Sequence, residues 1–179
     1  MKEEIKTTHI SEQAGTKILN SRDLITSAVF AAAVCAATLI IRIPVPATSG
    51  YINLGDSMVF ISALLFGARI GGIAGGVGSA LADIIGGYGS WAPFTFIIKG
   101  LEGYMVGHLS KKNSLLWSVL AVIVGGIIMV AGYFVVEVAL YGVPAAVAEL
   151  PGNLFQAGSG LVIAVPVATA IRKAMPQRF

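Results

Sequence analysis

The sequence is short of charge, histidine and cysteine, and each shortage closes off a class of protein. Only 12% of its 179 residues are charged, about half the share that soluble globular domains carry, which argues against a single water-soluble domain. Disorder is excluded by the same numbers. Disordered chains are rich in charge and poor in aliphatic side chains, whereas 56% of this chain is hydrophobic. One cysteine, Cys35, cannot build a disulfide framework. The two histidines, His9 and His108, are far apart and form no metal-binding pair. Neither an H-E-x-x-H helix nor a G-x-S-x-G nucleophile elbow is present. The run GGIAGGVGSALAD lacks the Gly-Lys-Ser/Thr ending of a phosphate loop. No catalytic residue, metal site or cofactor is therefore expected. The 22 glycines follow no triplet period, so they are not collagen-like, and membrane helices tolerate glycine well. With a mean hydropathy of +0.84, the chain reads as a small all-α, polytopic membrane protein.

A span needs roughly 20 mostly apolar residues, and the sequence supplies about six candidates: Asp23 to Ile41, Leu54 to Phe66, Ile70 to Ile85, Pro93 to Leu109, Leu115 to Leu140 and Leu154 to Ile171. The first is longer than the roughly 7–15 apolar residues of a signal-peptide core, so it is expected to stay as an anchor. Two punctuated segments, RIPVPATSGYIN and YGVPAAVAELPGN, read as loops. The Gly67–Ala68–Arg69 link is short enough to make spans two and three a helical hairpin. In this zigzag Lys2, Lys6, Lys17, Arg22, Arg69, Lys111, Lys112, Arg172, Lys173 and Arg178 fall on one side, and Arg42 stands alone on the other. The positive-inside rule then places both termini in the cytoplasm. Residues 1–22 and 174–179 become cytoplasmic tails around a single six-helix domain, residues 23–173, set in membrane lipid. The basic balance is accounted for by topology and implies no nucleic acid.

Asp56, Asp83, Lys99, Glu102 and Glu137 fall within or near these spans. An ionisable side chain at a helix centre costs about 2.5–3.5 kcal/mol on insertion scales, so each should face the bundle interior and find a partner. Lys99 lies about 9 Å below the outer end of its helix and Glu102 about 5 Å deeper; their i,i+3 spacing puts them on one face. Together with Asn53, Tyr88, Trp91, Thr95, Glu137, Asn153 and Gln156 they converge on the outer half, as an outward pocket closed inward does. Two readings stay open here: a substrate site, or an ion-pair network of Lys99, Glu102 and Asp83 that locks two helices. Asp56 reads as a helix N-cap. Glu137, with no cation on its own helix, is the acid most suited to a ligand.

Small residues form stripes. Ala28, Ala32 and Ala36 repeat every four residues on the first helix, as do Gly71, Gly75 and Ser79, and Gly72, Gly76 and Ala80, on the third. Such faces allow close helix approach. The third helix is expected to use them inside the bundle, the first to present its alanines to another protein.

The stretch from Asn53 to Gly107, NLGDSMVFISALLFGARIGGIAGGVGSALADIIGGYGSWAPFTFIIKGLEGYMVG, resembles the substrate-binding S components of energy-coupling-factor transporters, in the riboflavin or hydroxymethylpyrimidine group. The face Ala28-Val29-Phe30-Ala31-Ala32 resembles that family's A-x-x-x-A surface. The resemblance implies a subunit that binds a vitamin or precursor from outside at high affinity. It would dock through Ala28, Ala32 and Ala36 onto a transmembrane coupling subunit driven by two ATPase subunits, and topple in the membrane to release its cargo. It also implies that Asn53, Trp91, Thr95, Lys99, Glu102, Glu137, Asn153 and Gln156 line the site, with Tyr88 or Trp91 stacking on a small heteroaromatic ring. A hydroxymethylpyrimidine- or pyridoxine-like cargo comes first and riboflavin second. A stand-alone transporter driven by protons through Glu102 or Glu137, or a structural membrane subunit, are the alternative readings.

Overall fold

Asn20 opens the first helix: its side-chain oxygen accepts the Asp23 amide at 2.8 Å, satisfying one of the free donors of the first turn. The computed structural model describes residues 20–111 and 114–176. Lys2, Lys6, His9, Lys17, Lys112 and Arg178, and most of the two expected tails, lie outside the described residues. Helix α1 runs Ser21–Ile40. The segment read as an irregular loop is instead a small antiparallel hairpin, β1 Arg42–Val45 and β2 Gly50–Asn53, pairing Arg42 with Asn53 and Val45 with Gly50. Two strands alone leave both edges free, so prolines at 44 and 46 are tolerated there.

Helix α2, Gly55–Phe66, is only about 18 Å long at 1.5 Å per residue, well short of the roughly 30 Å hydrocarbon core. Ten of its twelve residues are buried, so the other helices wrap around it. Gly67 alone joins it to α3, Ala68–Gly86. The link has φ +86°, a conformation that an L side chain rarely adopts. Helix α4, Ala92–Leu109, follows with Pro93 in its first turn, where a missing N–H is harmless. The glycine stripes of α3 lie inside the bundle, as expected. A Cβ built on Gly71 would come within 2.7 Å of Ala63 Cα, one on Gly75 within 2.5 Å of the Lys99 carbonyl oxygen, and one on Gly78 within 2.5 Å of the Ala31 carbonyl oxygen. The backbones of α1, α2 and α4 thus press directly against α3.

Helix α5, Leu115–Tyr141, turns at Gly142 into α6, Val143–Ala174. The second expected loop is therefore helical, and α6 begins eleven residues before Leu154. Pro144 lies in the first turn, where no amide hydrogen bond is lost. Pro151 removes one bond, to the carbonyl four residues earlier, but its fixed φ suits a helix. Among the described residues there are six helices, of which α1, α3, α5 and α6 are long and apolar enough to cross a membrane.

Two arginines mark the ends of the bundle. Arg172 on α6 donates to the Leu64 carbonyl of α2 and, at 3.2 Å, to Ser118 Oγ of α5. At the opposite end Arg42 Nη1 donates to the Gly86 carbonyl at 3.2 Å. Between them Phe60, Leu64, Val106, Ala121, Val122 and Ala164 form an apolar core on α2, α4, α5 and α6.

Gly75→Val should lower the thermal unfolding midpoint of the detergent-purified protein, because overpacking of this kind costs about 1–3 kcal/mol. Gly158→Ala, where a Cβ meets nothing within 4 Å, should leave the midpoint unchanged or raise it.

Candidate functional site

A polar cavity lies between the hairpin and the apolar core. Its walls are regular: Ser79 and Asp83 on α3, Thr95 and Lys99 on α4 below Trp91, Tyr133 and Glu137 on α5. These pairs stand four residues apart, one turn on one helix face. Glu149, Asn153 and Gln156 on α6 continue the ring, with Thr38 of α1 and Gly50, Tyr51 and Asn53 of β2. The free space is about 30 Å³, room for about two waters. The hairpin roofs it through specific bonds. The buried Thr48 hydroxyl donates to Glu149 Oε2, the Asn53 amide donates to Gln156 Oε1 at 2.9 Å, and the Tyr51 hydroxyl donates to Asp83 Oδ1 at 2.6 Å. Burial, followed by this bond to Asp83, pushes the Tyr51 phenol above its ordinary range. Tyr51 also packs on Tyr88, with ring centroids 4.5 Å apart.

Beneath the cavity the Lys99 ammonium sits between two carboxylates, ion-paired to Asp56 and 3.0 Å from Glu102 Oε2. All three are almost wholly enclosed, Lys99 at 2% exposure, Asp56 at 1% and Glu102 at 0%. This corrects the expectation for Asp56, and of the ion-pair reading it bears out Lys99 with Glu102 but not Asp83. Asp56 is no helix cap: Leu54 holds that position without a side-chain bond, and the carboxylate turns inward to Lys99 and to Gln156 Nε2 at 3.1 Å. An inward carboxylate partner is worth more to a buried ammonium than a cap is to a helix end. Asp83, in turn, is not ion-paired to Lys99; it receives Tyr51 instead.

Other polar atoms in the walls are left open. Asn153 Nδ2 donates to Glu137 Oε1 at 3.1 Å, while Glu137 Oε2 and Trp91 Nε1 are buried with no hydrogen-bond partner among the described residues. Trp91 lies 6.0 Å from both Tyr133 and Tyr141, nearly parallel to the latter. The Tyr133 hydroxyl bonds Thr95 Oγ1 at 3.2 Å. Asn53, Trp91, Thr95, Lys99, Glu137, Asn153 and Gln156 are thus brought together on one cavity. Two expected site residues stand off it: Glu102 is behind Lys99, and Tyr88 is behind Tyr51. Tyr133 and Glu149 were not expected. Tyr133 was recoverable as the residue one turn before Glu137, and Glu149 as the single acid of the segment misread as a loop. Ala28, Ala32 and Ala36 all lie on the exposed face of α1, and Ser27, Ala31, Val34 and Cys35 form its buried face.

Lys99→Met should destabilise the protein by about 3–5 kcal/mol, since it strands two buried carboxylates. Adding Asp56→Asn and Glu102→Gln should recover most of the loss, read as thermal midpoints of the single and triple variants.

Known proteins share this chain's family and its fold. Residues 18–173 match the family described as ECF-type riboflavin transporter, S component. An uncharacterised protein of Pyrococcus woesei is 52% identical over 132 residues, covering 73% of this chain and 88% of that one. The thiamine precursor transporter HmpT of Lactococcus lactis subsp. cremoris is 33% identical over 131 residues, 73% of this chain and 75% of that one. The solved structure of the S component of a bacterial ECF transporter superposes with a TM-score of 0.65 at 18% identity, covering 86% of this chain and 97% of that one, and so shares the fold. With a family match across nearly the whole chain, the protein belongs to the S components of ECF-type riboflavin transporters, a family of membrane transport subunits and not of enzymes.

Proposed function

We propose that this chain is the substrate-specific, high-affinity binding subunit of an energy-coupling-factor importer for a water-soluble vitamin or vitamin precursor. A hydroxymethylpyrimidine- or pyridoxine-like ring is the first choice of cargo and riboflavin the second. The observation that carries this reading is a polar cavity roofed by the hairpin and floored by apolar side chains. Phe60, Val106 and Ala164 lie one turn or two beyond Asp56, Glu102 and Gln156 on the same helices. A site sealed on one side by such a plug binds and holds; it does not conduct. The name of the Lactococcus relative, a thiamine precursor transporter, favours the pyrimidine, and the family description keeps riboflavin in view.

In this reading the hairpin end faces outward. Arg22, Arg69, Lys111, Arg172 and Lys173 mark the cytoplasmic end, where both termini lie. Cargo enters when the hairpin lifts, since the free space beneath it, about 30 Å³, is smaller than any vitamin. Ala28, Ala32 and Ala36, exposed on α1, form the surface that meets a transmembrane coupling subunit, which two ATPase subunits drive. Direct backbone approach over alanines supplies the packing that holds helices together in lipid.

Mass spectrometry of small molecules released from the purified protein should detect an aminopyrimidine, a pyridoxine-like ring or riboflavin. Uptake by vesicles holding this chain alone, abolished by an uncoupler, would overturn the proposal in favour of a proton-driven transporter. Glu137→Ala should weaken cargo binding at least tenfold, about 1.4 kcal/mol, by calorimetry. Ala32→Trp should abolish uptake by the assembled transporter and leave cargo affinity of the isolated chain intact; an equal fall in binding would make that face internal packing and not a docking surface.

A further inference from the structure

The charges around the cavity are unbalanced. Asp83, Glu137 and Glu149 line it, and Lys99 is the one cationic side chain among the lining residues. That ammonium is already held between Asp56 and Glu102, so it has no uncompensated charge to offer an anion. Arg42, bonded to the Gly86 carbonyl and 5.9 Å over the Tyr51 ring, stands at the roof and is not among the lining residues. A phosphate group, which needs cationic or multiple N–H partners, would instead face three carboxyl groups in a water-poor space. Glu137, 1% exposed, has one oxygen held by Asn153 and the other unpartnered. A buried carboxylate in that condition is unfavourable until a donor or a cation reaches it. The two rings at the same wall are already engaged, Tyr133 with the Lys99 ammonium 5.6 Å over its face and Trp91 with the nearly parallel Tyr141. The free Trp91 Nε1–H adds one donor for a ring nitrogen or hydroxyl.

We infer that the cavity is a charge filter. It takes the unphosphorylated form of an amino-substituted, protonatable nitrogen heteroaromatic, with Glu137 as its counter-ion and the Trp91 Nε1–H as a second polar contact. An exocyclic amino group beside a protonated ring nitrogen presents two N–H donors side by side, the pattern that pairs in parallel with a carboxylate. A ring bearing a carbonyl at that edge puts acceptor against acceptor. This inference rests on the reading of the cavity as the cargo site and narrows it to one class of cargo.

The test is calorimetric titration of the full chain in detergent with four probes: a hydroxymethyl aminopyrimidine, its phosphate ester, the analogue with oxo in place of amino, and riboflavin. The aminopyrimidine should bind at least a hundredfold tighter than its phosphate ester and at least tenfold tighter than the oxo analogue. In Glu137→Gln the amino-to-oxo preference should collapse to within threefold. The wild-type series decides the matter even where that variant fails to fold. A phosphate ester or oxo analogue bound within threefold of the aminopyrimidine overturns the charge filter. So does riboflavin binding that Trp91→Ala removes, if the aminopyrimidine does not bind; that result leaves the cargo-site reading standing. Silence from all four probes on folded protein overturns the cargo-site reading and the filter with it.

Discussion

A lysine ammonium enclosed among membrane helices is tolerable only if negative charge is brought to it, and the placing of Lys99 between Asp56 and Glu102 organises the rest of the molecule. Asp56 is on the short central helix, Lys99 and Glu102 on α4, and Gln156 extends the contact to α6. Three helices therefore have one register relative to one another, set by a cluster that loses several kcal/mol if any member is misplaced. Above the cluster every wall is polar, and below it the core is apolar. The cavity is the space that this boundary leaves between the cluster and the hairpin.

Such a cluster needs close-set backbones, and α3 provides them. Because its glycines let α4 approach to where a single Cβ would collide with the Lys99 carbonyl, Lys99 is held from its own main chain as well as from its ammonium. Packing and electrostatics here are one constraint: the short distances between helices make the ion pairs possible, and the ion pairs keep the helices at those distances.

The membrane architecture was legible from long apolar runs, which have no other stable use, and the inward convergence of Lys99, Glu102, Glu137, Asn153 and Gln156 from the cost of leaving such groups in lipid. Spacing put Ala28, Ala32 and Ala36 on one face of α1 but did not decide whether that face points inward or outward; the structure leaves it exposed. What escaped was local. The VPAAVAELPGN segment carries prolines and a glycine that mark loops in most settings. Here Pro144 falls where a helix lacks its hydrogen bonds anyway, and Pro151 gives up just one, so a helix survives and brings Glu149 to the cavity. Asp56 looked like a cap because a carboxylate at a helix start is a local signal, whereas its partner is 43 residues away. Partners across the bundle, Tyr51 with Asp83 or Thr48 with Glu149, depend on the hairpin's fold, which no periodicity announces.

The unbroken course of α6 through Pro151 has a practical outcome. Glu149, Asn153 and Gln156 occupy one side of less than three turns of a single helix, so a large part of the chamber's polarity is written in one short continuous stretch of chain. Exchanging that stretch between related subunits would transplant the lining as a cassette, with the remaining walls left as they are.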